Sequence, residues 1–240
     1  MSELIAENLH KTFGDREVVR GISLNVSQGE IIGLLGPNGA GKTTTFYMLL
    51  GIIQPSSGKV MLDGEDIGKW PLHQRALVGL SYLPQESSVF RKLTVRNNLK
   101  LILEHTGLSA REQENKLRSL MEEFGISHLE NSRAMHLSGG ERRRLEIARA
   151  LIREPKFVLL DEPFAGIDPL AVDDIKQLVR TLCQRGIGII ISDHNVRETL
   201  SICDQAYIVY EGQIILHGTP QEVVDNPRAR RVYLGEDFSL

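Results

Sequence analysis

Residues 36–43 read Gly-Pro-Asn-Gly-Ala-Gly-Lys-Thr, between a short apolar run, Glu30 to Leu35, and a run of helix formers, Lys42 to Leu50, that Gly51 stops. Every fixed position of the pattern G-x-x-x-x-G-K-[ST] is filled, in the strand–loop–helix setting that gives the pattern its meaning. Such a loop belongs at the edge of an α/β sheet, where ligands bind beyond the C-terminal ends of the strands. Its glycines let the backbone curl around a polyphosphate so that successive N–H groups point inward. The helix N-terminus adds positive potential, Lys42 adds a full charge near the outer phosphates, and Thr43 offers a hydroxyl to Mg²⁺. Gly36, Pro37, Asn38, Gly39, Ala40, Gly41, Lys42, Thr43 and Thr44 are the residues expected to hold the nucleotide's polyphosphate.

The rest of the chain alternates between two textures. Ile22 to Val26 alternates apolar and polar residues, as a half-exposed strand does. Pro55-Ser56-Ser57-Gly58 reads as a turn before a strand over Lys59 to Leu62. In the middle third, Ser109 and Glu112 form a capping box, and Leu117, Leu120, Met121 and Phe124 follow at helical spacing before Gly125. That third is a helical insertion. Strands return at Phe157 to Leu160 and Ile187 to Ile191, apolar enough for a parallel sheet covered on both faces. Between them Ile175, Leu178, Val179 and Leu182 mark an amphipathic helix. Ala206 to Tyr210 and Gln213 to His217 suit a hairpin around Glu211-Gly212. Thr219 and Glu222 then cap a short helix with Pro220 at its first position.

The strand Phe157 to Leu160 delivers two acids, Asp161 and Glu162, at its C-terminal end. Adjacent carboxylates divide the work of hydrolysis: Asp161 orients the Mg²⁺ shell, and Glu162 accepts a proton from the attacking water. The bland alternative is a pair of solvated acids before Pro163.

Composition closes off other classes. A net charge of −3 leaves no basic footprint for nucleic acid. Cys183 and Cys203 lack metal-ligand spacing and are expected to be reduced, buried thiols. No run approaches the roughly 18 apolar residues of a membrane helix, and the N-terminus lacks the form of a secretory signal. Any membrane crossing is left to another chain.

Leu137-Ser138-Gly139-Gly140-Glu141 opens a helix running through Arg149 and Ala150. Ser138 and Glu141 form a second capping box, and Gly139 and Gly140 expose N–H groups at a positive helix end that suits an anion. Here the sequence resembles the ABC ATPase family, whose signature usually carries glutamine where this chain has Glu141. The resemblance covers nearly the whole chain. It implies an α/β fold: a RecA-like P-loop NTPase core with an antiparallel β subdomain over 1–86 and 154–240, and an inserted α-helical subdomain over 87–153 bearing the signature, all in one domain, 1–240. It also implies a homodimer with ATP at the interface, Ser138, Gly139 and Gly140 of one copy closing over the phosphates held by the other, and Asp168 in the loop joining the two sites. Gln85 resembles the glutamine that senses Mg²⁺ and the lytic water, His194 the histidine that contacts the γ-phosphate, and Phe13 the aromatic residue that stacks on adenine. Taken alone, Gln85 would be a surface amide, His194 a structural residue and Phe13 part of a core.

Family members in DNA repair carry long coiled-coil insertions, and translation-type members carry two cassettes; neither feature fits 240 residues with one phosphate loop. The resemblance therefore implies a transporter subunit on the cytoplasmic face of the inner membrane, attached through integral membrane permeases. The run Tyr82 to Thr94 resembles the lipopolysaccharide-export branch. The ending Asn226 to Gly235 is similar to that branch and to branched-chain amino-acid importers, the second reading. A cytosolic regulatory or nucleic-acid-linked ATPase is the reading from another class. Phe90 and Arg91 pair an aromatic anchor with a cation and form the expected permease docking point; the alternative for Phe90 is a place in the helical core. Arg142, Arg143 and Arg144 read as a solvated face with ion pairs to Glu141 or Glu146, and Arg228, Arg230 and Arg231 as a surface helix.

Overall fold

Alternating side chains in the first quarter of the chain build an antiparallel sheet, and unbroken apolar runs farther on build a parallel one. The computed structural model describes residues 1–239, the side chains of residues 169 and 170 excepted; Leu240, the last residue of the expected domain, lies outside the described residues. β1 (Glu3–Phe13) and β2 (Arg16–Ser27) bury Leu4, Ala6 and Leu9 and Val19, Ile22, Leu24 and Val26, respectively. β3 (Ile31–Leu35) is buried at every residue and leads through the glycine loop into α1 (Lys42–Leu50). β4 (Ser57–Leu62), β5 (Glu65–Asp66), α2 (Leu72–Leu77) and β6 (Leu80–Leu83) follow. The helical stretch holds α3 (Val95–Leu103), α4 (Ala110–Glu123) and α5 (Gly139–Ala150), the last two opened by capping boxes at Ser109 and Ser138. β7 (Phe157–Asp161), α6 (Pro169–Gln184), β8 (Gly188–Ser192) and α7 (Val196–Leu200) return to the α/β pattern. The hairpin β9 (Gln205–Tyr210) and β10 (Gln213–Gly218) leads to α8 (Pro220–Asp225), capped by Thr219, and α9 (Pro227–Ala229). The chain then enters a π-helical turn, Arg230–Leu234.

One sheet has the order β2-β1-β4-β5, the other β10-β9-β3-β8-β7-β6. Strands β9, β3, β8, β7 and β6 run parallel, and β10 pairs antiparallel on β9. The larger sheet divides the apolar interior by its period of two. Ile31, Leu35, Val158, Leu160, Ile189 and Ile191 face the helical side, while Ile32, Leu34, Phe157, Leu159 and Ile190 face α1 and the antiparallel sheet.

The expected turn Pro55-Ser56-Ser57-Gly58 gives way sooner than anticipated, and β4 begins at Ser57. Gly58 has φ 93°, and a Cβ there would lie 2.3 Å from the Asn8 carbonyl oxygen. The register of β1 on β4 shifts between Glu7 and His10, so this glycine serves a bulge in the ladder.

Arg75 on α2 is fully buried and, among the described residues, has no carboxylate hydrogen-bonded to it. Its guanidinium donates to the carbonyls of Met48 (2.7 Å), Leu49 (2.6 Å), Gly68 (2.9 Å) and Trp70 (2.9 Å). Two of these belong to the last turn of α1, where unpaired carbonyls carry the negative end of the helix dipole. Burial pulls the guanidinium down to about 10, which still leaves it charged at neutral pH. Arg75 thus ties down the far end of the helix that starts at the phosphate loop. Replacing it with leucine takes a charged donor from four carbonyls, of which Met48's alone is shown keeping another, the Gly51 amide at 3.2 Å, and Arg75→Leu is expected to lower the unfolding free energy by about 3–5 kcal/mol. Arg75→Lys should recover only part of that loss, because an ammonium lacks the planar fork. Urea denaturation of the three chains measures both differences.

Candidate active site

Neighbouring parallel strands lie about 4.8 Å apart, so the order β3-β8-β7-β6 lines up four C-terminal ends. They deliver, in turn, the phosphate loop, Asp193-His194, Asp161-Glu162 and Gln85. The loop depends on glycine at two points. Gly36 has φ 148°, and a Cβ there would sit 2.0 Å from the Val209 carbonyl oxygen; Gly41 has φ 109° and would meet Val18 at 3.0 Å. Lys42 Nζ donates to the carbonyls of Gly36 (2.6 Å) and Pro37 (3.0 Å), so the loop closes around its own lysine. Burial lowers the Lys42 pKa, and the charges of Glu162 and Asp161 push it back up. Asn38, Gly39, Gly41, Lys42, Thr43 and Thr44 line a cleft together with Asp161, Glu162, Ser192, Arg16 and Val18. Ala40 is buried behind it, its carbonyl accepting from the Gly212 amide at 2.9 Å.

The three residues expected to act on water meet at one carboxylate. Glu162 Oε2 accepts from Gln85 Nε2 at 2.7 Å and lies 3.3 Å from His194 Nδ1. Glu162 adopts φ 47°, an uncommon conformation for a residue with a side chain, and its N–H donates to the Ser192 carbonyl at 2.6 Å. That bond to the neighbouring strand holds the strained residue in place. His194 is 63% exposed, which leaves it open to a ligand. Behind it Asp193 is fully buried and accepts from the amides of Phe164 (2.9 Å) and Asn195 (2.8 Å).

Asp161 is buried beside Tyr82, whose hydroxyl donates to Oδ2 at 3.3 Å. Burial raises the Asp161 pKa; the Tyr82 hydrogen bond and Lys42 oppose that shift, while Glu162 and Asp193 add to it. No group of three His, Cys, Asp or Glu side chains suited to a metal occurs among the described residues. Mg²⁺ does not require one, since it keeps several waters and takes one or two carboxylates plus phosphate oxygens. The donors of Thr43, Gln85 and Asp161, a hydroxyl, an amide and a carboxylate, fit that chemistry.

The remaining expected residues lie elsewhere. Ser138 and Gly139 are exposed at the tip of α5, outside the lining of the phosphate cleft. Ser138 Oγ accepts from the Glu141 amide at 3.3 Å, and Glu141 Oε2 accepts from the Ser138 amide at 2.8 Å. A Cβ on Gly139 would lie 3.1 Å from the Gly166 carbonyl oxygen, and one on Gly140 3.3 Å from Ala171 Cβ, so the helix tip packs against the loop carrying Asp168. Asp168 accepts through its backbone carbonyl from Ala171 (2.8 Å) and Val172 (3.2 Å), which starts α6. Phe13 is 48% exposed at the end of β1, with Lys11 Nζ 5.1 Å from its ring centre.

Phe90 is 46% exposed and does not fill the helical core. The Arg149 guanidinium sits 5.1 Å from its ring centre. Buried Asn98 fixes the backbone beneath: its side chain accepts from the Phe90 amide (2.8 Å) and donates to the Phe90 carbonyl (3.1 Å). Arg91 is exposed alongside.

Of the three consecutive arginines, only part reads as a solvated face. Arg142 donates to the Leu137 carbonyl at 3.0 Å, and Arg144 pairs with Asp174 on α6. Arg143 is buried, because its face of α5 turns toward the sheet. It donates to the carbonyls of Pro84 (3.1 Å) and Asp161 (3.3 Å) and pairs with buried Glu146 at 3.1 Å. Glu146 accepts in turn from the Ser87 hydroxyl (2.7 Å) and the Ser88 amide (3.0 Å). Sequence reasoning missed Arg143 and Tyr82; their signal was helical phase and strand parity against neighbours that only the fold supplies.

A phosphate loop whose sheet edge gathers Gln85, Glu162 and His194, with a serine-capped helix tip presented outward, is the architecture of an ATP-binding cassette. The profile described as ABC transporter matches residues 19–165, and the chain belongs to that family, whose ATP-binding subunits are ATPases that power transport. Over the full length of both chains it is 55% identical to the lipopolysaccharide export system ATP-binding protein LptB of Escherichia coli strain K12, and equally to that of Haemophilus influenzae. A second profile, branched-chain amino acid ATP-binding cassette transporter, matches residues 213–239. Among solved structures, an ATP-binding cassette of an ABC transporter in its ADP conformation superposes with a TM-score of 0.88 at 29% identity, covering 98% of this chain and 100% of the other. A nucleotide-free cassette gives 0.87 at 29% identity, with the same coverage.

The buried pair on α5 is directly measurable. Arg143→Met strands the Glu146 carboxylate without its cation, and a loss of about 3 kcal/mol in unfolding free energy is expected. Adding Glu146→Gln in the same chain should restore part of it. A double-mutant cycle in urea that finds the two losses additive contradicts the pairing.

Proposed function

We propose that this chain is the ATP-hydrolysing subunit of a lipopolysaccharide-export ABC transporter, acting as a homodimer on membrane permeases. The 55% identity to LptB across both full chains supports the choice of cargo. Support for hydrolysis comes from the meeting of Gln85, Glu162 and His194 beside the phosphate loop. No helix among the described residues is long and apolar enough to cross a membrane, in keeping with a place at the cytoplasmic face held by permeases. The importer reading draws on residues 213–239 alone, whereas the export relatives match throughout.

In this reading the amides of residues 36–44 and Lys42 grip the triphosphate, and Phe13 stacks on adenine. Thr43, Gln85 and Asp161 hold Mg²⁺, which when bound neutralises charge on the phosphate oxygens. Glu162 takes a proton from the attacking water, which Gln85 helps to orient, and His194 donates to the γ-phosphate. Each active site is completed by the second copy, whose Ser138, Gly139 and Gly140 amides stabilise charge building on the phosphoryl group, with Asp168 linking the two halves. Exposure of the helix tip away from its own cleft supports that division. Phe90 and Arg91 receive the permease, and hydrolysis releases a dimer that ATP had closed.

Glu162→Gln is expected to cut turnover by about 10²–10⁴-fold while ATP still binds. The same variant should accumulate as an ATP-bound dimer on size-exclusion chromatography; full activity in the Glu162→Gln chain refutes the base assignment. Phe90→Ala should leave the ATPase rate of the isolated protein largely intact and abolish co-purification with the membrane partner. Undiminished co-purification removes Phe90 from the docking site.

A further inference from the structure

The hairpin of β1 and β2 turns through Gly14, whose φ of 56° suits a tight reversal, and leaves Phe13 and Arg16 facing each other as its last cross-strand pair. Residues paired in this way show their side chains on one face of the sheet. Arg16 and Val18, two apart on β2, share a face as well. At this level the strand runs hard against the phosphate loop: a Cβ on Gly41 would lie 3.0 Å from the Val18 carbonyl oxygen. The Arg16 side chain accordingly lines the phosphate cleft together with Asn38, Gly39, Lys42, Thr43 and Thr44.

Four charged side chains line that cleft, and three of them are engaged within the protein. Lys42 donates to the Gly36 and Pro37 carbonyls, Asp161 accepts from Tyr82, and Glu162 accepts from Gln85. The Arg16 guanidinium is exposed and has no hydrogen-bond or ion-pair partner among the described residues. Its fork of N–H donors is open to an oxyanion. Charge points the same way. Without Arg16 the lining holds one ammonium against two carboxylates, an excess of negative charge toward a polyanionic ligand. Arg16 cancels that excess. Its neighbours set where along the ligand it acts. Phe13, across the pair, is the proposed adenine platform, and Lys42 serves the outer phosphates, so Arg16 stands toward the nucleoside end. Arg20, the next arginine on β2, is outside this lining, and its guanidinium donates to the Glu17 carbonyl at 3.4 Å.

We propose that Arg16 is a nucleotide-binding residue whose guanidinium pairs with the α-phosphate, a placement that rests on the reading of residues 36–44 as the nucleotide cradle. ATP and ADP share that phosphate, so the contact grips substrate and product alike. Uniform binding of this kind lowers KM and leaves kcat alone. Arg16 thus differs from Lys42, whose charge meets the phosphates that react.

The test measures binding of ADP and of a non-hydrolysable ATP analogue, each with Mg²⁺, to the full chain, Arg16→Ala, Arg16→Lys and Arg20→Ala. Without nucleotide, Arg16→Ala should melt with the unaltered chain, since the side chain removed is exposed and unpartnered. Its affinity for both nucleotides should fall by the same factor, about tenfold, with KM for ATP rising and kcat unchanged. Arg16→Lys should recover part of the loss, because the charge stays and the planar fork goes. Arg20→Ala should bind as the unaltered chain does. Full affinity in Arg16→Ala overturns the proposal, and so does a loss confined to the triphosphate analogue, which moves the contact to the γ-phosphate. An equal loss in Arg20→Ala overturns it too, by reducing Arg16 to a share of the general field. If the unaltered chain binds neither nucleotide, the cradle reading fails and takes the role of Arg16 with it, an outcome distinct from the others.

Discussion

The ladder β3-β8-β7-β6 is the constraint on which everything else rests. Each strand ends in residues that would mean little alone, and parallel pairing puts those ends side by side at one edge. The result is a compact set of opposed charges, with Lys42 pulled down by burial and held up by Glu162 and Asp161. Removing water strengthens each of these interactions and makes each unpaired group more costly. That explains why nearly every polar atom behind the edge has a named partner, from the Asp193 carboxylate to the Glu162 amide.

Helix α5 carries the connection from this edge to the rest of the surface. Arg143, Glu146 and Arg149 recur at helical spacing on one face and hold, in order, the Pro84 carbonyl, Ser87 with Ser88, and Ser88 with the Phe90 ring. A single rigid element therefore grips the residue before Gln85 and the aromatic side chain five residues beyond it. The same helix begins at Ser138. The proposed partner site, the proposed water-orienting Gln85 and the proposed docking point share one support.

Local chemistry was legible in the sequence. A phosphate loop needs consecutive backbone amides, so its residues had to be contiguous. Capping boxes at Ser109, Ser138 and Thr219 satisfy amides within one turn and were readable for the same reason. The hairpin at Glu211-Gly212 announced itself through turn chemistry. Less legible were groups whose environment is set by distant chain. Three arginines in a row look solvated until helical phase sends the middle one inward, and Gly58 looked like part of a turn until β1 proved to carry a bulge opposite it.

By itself, then, the sequence determined the strand–loop–helix setting of residues 36–43, which strands would be buried and where the helices capped by Ser109, Ser138 and Thr219 would start, because those outcomes depend on neighbours within a few residues. Tertiary structure alone decided that Gln85, 77 residues before Glu162, would reach the same carboxylate oxygen as His194. It also decided that Arg75 would cap a helix it does not belong to, and that Arg143 would turn inward to Glu146 and the Asp161 carbonyl. Those meetings depend on strand order and on which face a helix presents, and neither quantity is carried by any short stretch of chain.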